Sequence, residues 1–268
     1  MTGGASGLLL LMERHLRRLR ACGGQYDGTT RHSAELERAV GDYSAFVTDT
    51  RHHEAWAELE RATPPGFGDL VGELRVVSAR CASLMEKYRA LRLLAGDPAT
   101  AGYFANVESG IEAEFGAFGL TSSSSVLLVG SGAFPMTPLL IGGRTGARVV
   151  GLDIDEEAVA LGRRVVAALG PGLDIRLERE PAQESAFTAG ASHVIFSSTV
   201  SVKYEILRAI HARTGDDVVV AMRYGDRFKS LFNYPREEVD SAMWTLAEQV
   251  LRPEHVFDVA LYVKATRR

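Results

Sequence analysis

From residue 122 onward the chain alternates short apolar runs with longer amphipathic stretches, and that alternation restricts it to one broad architecture. The runs are "VLLVG", "ARVVGLDI", "LDIRLE", "SHVIFSST" and "DVVVAMR". Each is short and rich in β-forming residues, and most segments between them are long enough for a crossover helix, so a parallel sheet is expected. The final stretch, "HVFDVALYVKAT", alternates like a late edge strand, often antiparallel in such sheets. An α/β arrangement with a parallel sheet follows for this half.

The first part reads differently. Leu36 and Val40, followed by Tyr43, Phe46 and Val47, recur at helical spacing, and "LVGELRVVSARCASLMEKYRALRLL" is a long proline-free run of mostly good helix formers. Pro64, Pro65 and Gly66 break one boundary, and "AGDPAT" breaks another. The expected organisation is a helical N-terminal domain at 1–118 and a Rossmann-type domain at 119–268.

A formal charge of -4 with interspersed signs argues against a nucleic-acid surface and for a small-molecule site. Cys22 and Cys81 stand far apart with no CxxC pair, so neither zinc nor a disulfide framework is signalled, and a reduced cytoplasm is expected. The seven histidines show no metal spacing, and adjacent His52 and His53 cannot face one ion from a helix, so no metal is expected. In "GLLLLMERHLRRLRAC" the apolar core is short, no basic residue precedes it, and Glu13 and His15 interrupt it. An amphipathic helix fits it better than a signal sequence, and no stretch approaches the roughly 20 apolar residues of a membrane span.

The first run breaks into a glycine turn, "VLLVGSGAFPMTPLLIGG". Parallel sheets bind ligands outside the carboxyl ends of their strands, which is where Gly130, Ser131 and Gly132 fall. Glycines there permit positive φ and close approach of a ligand; a plain tight turn explains a lone G-x-G equally well. The second run ends in Asp153, 21 residues beyond Gly132, near the ~20-residue offset at which a carboxylate reaches ribose hydroxyls. Asp155 is read as the N-cap of the next helix. Pro135 stands where a dinucleotide site has its third glycine. It has no N–H for a pyrophosphate, which turns the reading from dinucleotides toward an adenosine without phosphates, as in S-adenosylmethionine (SAM), although proline is also common at the first helical position for purely local reasons.

"LLVGSGAFPMT", "GLDIDEEAVALGRRVV", "HVIFSSTVSVKYEIL" and "VVVAMRYGDRFKSLFNYP" resemble the nicotianamine synthase-like enzymes, in particular the bacterial 2-aminobutanoyltransferases of staphylopine- and pseudopaline-type metallophore pathways. The likeness extends upstream through "CASLMEKYRALRLL" and "GYFANVESGIEAEFG". It implies a class I methyltransferase-like, Rossmann-type SAM-binding domain under an N-terminal α-helical cap domain. It also implies transfer of the 3-amino-3-carboxypropyl group of SAM to the α-amine of histidine, with 5′-methylthioadenosine released. A cytoplasmic enzyme, handing its product to an opine dehydrogenase, belongs to the same implication; a homodimer is the default oligomer.

Within that resemblance the site residues acquire roles. Ser131 and Thr137 near the glycine turn, with Ser197, Ser198 and Thr199 after the fourth strand, are placed to grip the methionine part of SAM; for Thr137 helix-cap chemistry is an equal reading. Glu86 and Tyr103 are the candidate bases from the cap, named only because of the likeness: on its mostly apolar helix burial would raise the proton affinity of Glu86, though a Glu beside Lys87 also reads as a solvated face, and Tyr103 could hydrogen-bond the amine or a carboxylate, though it also reads as a core tyrosine. Arg223, ending the fifth strand, is expected to hold a substrate carboxylate, with Asp226 as its competing local partner. Tyr234 is expected in a pocket wall. Glu184 is assigned to the adenine amine, or equally to capping the next helix. Three rivals share these features: a small-molecule SAM methyltransferase, a non-catalytic adenosine-binding module, and an NAD dehydrogenase.

Overall fold

The computed structural model describes residues 4–97 and 119–266. Four helices come first: α1 (Ala5–Gly23), α2 (Ser33–Thr48), α3 (His53–Ala62) and α4 (Phe67–Leu94). In α1 the buried Leu8, Met12, Leu16 and Leu19 form one stripe at helical spacing, as an amphipathic helix requires. In α4 the stripe Val71, Leu74, Ser78, Cys81, Leu84 and Tyr88 faces the other cap helices. Thr63 and Gly66 take left-handed conformations on either side of Pro64 and Pro65, and this turns the chain between α3 and α4.

Strands and helices then alternate: β1 (Ser125–Val129), α5 (Met136–Thr145), β2 (Arg148–Leu152), α6 (Glu156–Leu169), β3 (Ile175–Glu178), β4 (His193–Phe196), α7 (Lys203–Ile210), β5 (Val219–Tyr224), β6 (Trp244–Val250) and β7 (Asp258–Lys264). One seven-stranded sheet has the order β3-β2-β1-β4-β5-β7-β6. β1 to β5 pair in parallel, with Val126 opposite both Val149 and His193. β7 runs antiparallel to β5, Ala221 lying opposite Leu261.

The last strand is antiparallel as expected, but it is not an edge. It lies between β5 and β6, and β6 takes the edge. The sequence "WTLAEQV" carries no apolar run, since only Trp244 is buried and Thr245–Gln249 face solvent. Backbone pairing with β7 holds it, and an irregularity between Leu246 and Glu248 blunts the exposed edge.

The strand order reverses between β1 and β4, which opens the ligand crevice at their carboxyl ends. The helices sit over that crevice because their core continues into the segment after β5: Phe228, Leu231 and Phe232 are buried with Tyr43, Phe46 and Trp56. Tyr43 Oη donates to the Leu231 carbonyl (2.9 Å), and Arg75 Nε donates to that of Ser230 (2.7 Å). The far end of α4 packs through Ala90 on Ala133, Phe134 and Leu139. Each fully buried large side chain of this seam contributes about 1.5–3 kcal/mol, so the protein alone holds the cap in place. Among the described residues no helix is long and apolar enough to cross a membrane.

Candidate active site

A cavity of about 800 Å³ opens where the cap meets the strand ends, within the size range of small-molecule sites. The glycine turn forms its floor. Gly130 and Gly132 have φ of +83° and +67°, conformations that favour glycine. A Cβ on Gly130 would come within 2.7 Å of Val200, and one on Gly132 would collide with Oε2 of Glu86.

Glu86 therefore points from α4 onto the glycine turn, and it accepts backbone N–H bonds from Ala133 and Phe134. Those are the donors that a diphosphate would take at this kind of turn. Burial, with the nearby Asp153 charge adding to it, pushes the carboxyl up to about 8, against the pull of Arg89 and the two N–H groups. The solvated-face reading of this helix fails because α4 is covered on this side as well. Lys87, buried beside Glu86, pairs with Asp155 and Glu157 at the start of α6, each at 2.7 Å. Asp155 is also the N-cap of α6, Oδ1 accepting from Ala158 N (3.1 Å).

Asp153 lines the cavity and braces the turn: Oδ2 accepts from Gly132 N (2.9 Å) and Oδ1 from Asp155 N (3.0 Å). Each oxygen keeps a lone pair for a ligand hydroxyl. Ser131, Thr137, Ser197, Ser198 and Thr199 all line the cavity. Arg223 lines it too, its Nη1 donating to Thr137 Oγ1 (3.1 Å) and its guanidinium lying 5.1 Å from the Phe257 ring centroid. Asp226, the competing partner considered for Arg223, approaches Arg227 at 3.8 Å.

Three of the named residues lie away from the cavity lining. Glu184 is exposed and does not line the cavity; its N–H closes a turn to Pro181, and Gln183, one residue earlier, faces inward. It does not cap a helix either, since Ser185 fills that role for the short 3₁₀ turn that follows. Pro135 is buried outside the cavity lining. It is the N-cap of α5 instead of its first residue, in an inverse γ-turn where Met136 N donates to Phe134 O (2.8 Å). Tyr234 does not line the cavity either: its backbone joins Ser198 and Gly225, and Phe232 and Asn233 make the wall. Tyr103 lies outside the described residues.

Lys203 went unnoticed in the sequence. It is fully buried at the start of α7 and donates to the carbonyls of Ser198 (3.3 Å), Arg223 (2.9 Å) and Tyr234 (3.0 Å). Burial lowers its ammonium to about 7. Among the described residues, Ser131 Oγ, Gln183 Oε1 and Asn233 Oδ1 are buried cavity-wall atoms with no hydrogen-bond partner. Buried polar atoms are rarely left so, and a bound ligand or an ordered water is the usual partner for such atoms. No cluster of three or more His, Cys, Asp or Glu side chains suited to a metal occurs among the described residues.

Two measurements test this geometry. Gly132→Ala strains the backbone by about 1–2 kcal/mol, a Tm fall of roughly 2–8 °C, and transfer activity should fall further because Glu86 is displaced; equal activity would show that the carboxyl's place is unimportant. Between pH about 4.5 and about 8 the unfolded chain has released the Glu86 proton that the folded chain keeps, so stability falls as pH rises through this window. Denaturant midpoints of Glu86→Gln relative to the wild type should therefore improve steadily from pH 5 to 8; a constant difference would contradict the raised carboxyl.

A Rossmann-type sheet of this order, with an acidic residue just after β2 and helices over the strand ends, defines a class I methyltransferase-like fold with N-terminal helices added to it. No protein-family model matches the chain. L-histidine 2-aminobutanoyltransferases from two strains of Pseudomonas aeruginosa are 28% identical to it over 233 residues, covering 87% of this chain and 87% of each relative. One from Yersinia pestis is 28% identical over 235 residues, covering 84% and 87%. Among solved structures, MtNAS in complex with S-adenosylmethionine, as a glutamate-to-glutamine variant, has a TM-score of 0.75 at 14% identity over 95% of this chain and 97% of that one. MtNAS in complex with MTA and tNA scores 0.75 at 15% identity, over 97% and 98%. The chain shares the fold of MtNAS over nearly its whole length, the N-terminal helices included.

Proposed function

We propose that this protein transfers the 3-amino-3-carboxypropyl group of SAM to the α-amine of histidine, releasing 5′-methylthioadenosine. One observation carries the reading beyond the likeness: a partly buried carboxyl, Glu86, occupies the place at the glycine turn where a dinucleotide would put its diphosphate. Such a carboxyl takes the N–H donors that a diphosphate would need and can ionise beside a cation, which weighs against an NAD dehydrogenase. SAM is an adenosyl cation. Asp153 supplies acceptors for its ribose, Gln183 Oε1 an acceptor for the adenine amine, and Ser131 a hydroxyl for the amino-acid arm.

The chemistry is an alignment problem, since three carbons on the sulfonium are electrophilic. Ser131, Thr137 and the hydroxyls of Ser197–Thr199 hold the methionine arm, so that Cγ and not the methyl faces the acceptor, while Arg223 holds the acceptor's carboxylate. The amine lone pair forms the N–Cγ bond while the Cγ–S pair leaves on sulfur, giving a neutral thioether. The nitrogen proton passes to the Glu86 carboxylate. A bound cation draws Glu86 toward its ionised form, so the base becomes competent when SAM is present. Water is kept out by the cap, which the expected division assigns to residues 1–118.

By the same proposal the product passes in the cytoplasm to an opine dehydrogenase, and the enzyme acts as a homodimer. The test is product analysis after incubation with SAM and histidine. Methylthioadenosine with alkylated histidine is the expected result; S-adenosylhomocysteine alone would make the protein a methyltransferase.

A further inference from the structure

Asn233 follows β5 and sits between fixed points. Its Nδ2 donates to the Val256 carbonyl at 2.6 Å, and because a carbonyl only accepts, this contact sets which end of the amide is nitrogen. Oδ1 is the unpaired atom described above, on a residue that is 1% exposed and lines the cavity. The backbone beneath it is tied down. Asn233 N donates to Lys229 O (3.1 Å), and the carbonyl of the next residue accepts from both Gly225 N (3.1 Å) and Lys203 Nζ (3.0 Å). Lys203 ties the same segment to Arg223 and Ser198, so the unpaired acceptor and the carboxylate-binding guanidinium are held in one rigid knot. A rigid buried acceptor on a ligand cavity wall calls for a donor carried by the ligand.

The order of strands says which ligand. Asp153 lies just after β2, the glycine turn and Glu86 lie at β1, and Ser197–Thr199 follow β4. Adenosine and the reacting centre fall on that side. Asn233 lies on the far side of β4, past β5, bonded to the loop that leads into β7. Around it the cavity wall is aromatic, with Phe232 and Phe257. Glu86 serves the attacking amine and Arg223 a carboxylate, which leaves the flat side chain of the acceptor for this corner. We propose that Asn233 Oδ1 accepts an imidazole N–H of the acceptor histidine and thereby selects histidine among amine acceptors. This rests on the proposed transfer to histidine and assigns a specificity-determining residue within it.

The experiment measures methylthioadenosine release with histidine and with the two ring-N-methylhistidines, for the wild type and Asn233→Leu, together with SAM affinity by titration. In the wild type, methylation of the contacted nitrogen should lower kcat/KM by roughly 10-fold or more, because it leaves Oδ1 buried without a donor. In Asn233→Leu, kcat/KM for histidine should fall by a similar factor through KM, and the ratio between histidine and that analogue should shrink to within about 2-fold. SAM affinity should not change. A wild type indifferent to both methylations overturns the assignment. So does a variant that loses all three acceptors in proportion, which is what a merely structural loop anchor would do. Weakened SAM binding would place Oδ1 on SAM instead. If melting shows that Asn233→Leu does not fold, the smaller Asn233→Ser carries the same comparison. A wild type that releases no methylthioadenosine with histidine defeats the underlying transfer, an outcome distinct from transfer that is blind to the ring.

Discussion

Replacing Glu86 by Gln is expected to lower kcat by about 10²- to 10⁴-fold, the usual worth of a positioned base, while SAM still binds. Gln keeps the shape and one acceptor for the Ala133 and Phe134 N–H groups but cannot take a proton. The pH profiles give a sharper reading. In the free enzyme the carboxyl titrates at about 8, so kcat/KM for SAM should rise with pH through that region. Once SAM is bound its positive charge favours the carboxylate, and the acid limb of kcat should lie at lower pH. Glu86→Gln should abolish both limbs. If Glu86→Gln retains full kcat, the proton leaves by another route and Glu86 is only a support for the turn.

This arrangement explains which parts of the molecule were legible in the sequence. The central parallel strands announced themselves because strands covered on both faces are apolar over nearly their whole length, as "VLLV" and "VVVAM" are, whereas the outer β3, "IRLE", is only partly buried. β6 carries no such mark, since its stability comes from pairing with β7, and pairing is decided by strand order, not by local composition. Asp153 and the glycine turn were legible because both are local to strand ends. Glu86 was legible only through the family resemblance, and the packing of α4 against α6, with Lys87 reaching Asp155 and Glu157, decides against the solvated reading of its face. Glu184 shows the scale of the remaining error. A turn closed to Pro181 decides which of two adjacent side chains points inward, and it selects Gln183. Lys203 and Asn233 act through backbone carbonyls distant in sequence, and no residue spacing encodes such partners.

Asp153→Asn should weaken SAM binding by roughly 10- to 150-fold, the effect of losing charge-assisted acceptors worth about 1.5–3 kcal/mol. The substitution is less conservative here than it looks. Both carboxylate oxygens accept backbone N–H bonds, Oδ2 from Gly132 and Oδ1 from Asp155. An amide has one oxygen, so its NH₂ must face one of those donors and leave it unmet. The turn at Gly132 is thereby loosened, and the ribose loses an anionic acceptor in the same step. A second consequence separates these effects from general damage. Asp153 is one of the charges that raise Glu86, so neutralising it should lower the Glu86 carboxyl and shift the acid limb of kcat/KM toward acid pH. Isothermal titration with SAM and a pH series on the same preparation read both. Weaker SAM binding with an unmoved limb would mean that burial alone sets Glu86. An unchanged affinity would remove Asp153 from the ribose and, with it, the placement of adenosine on which Glu86 and Arg223 depend.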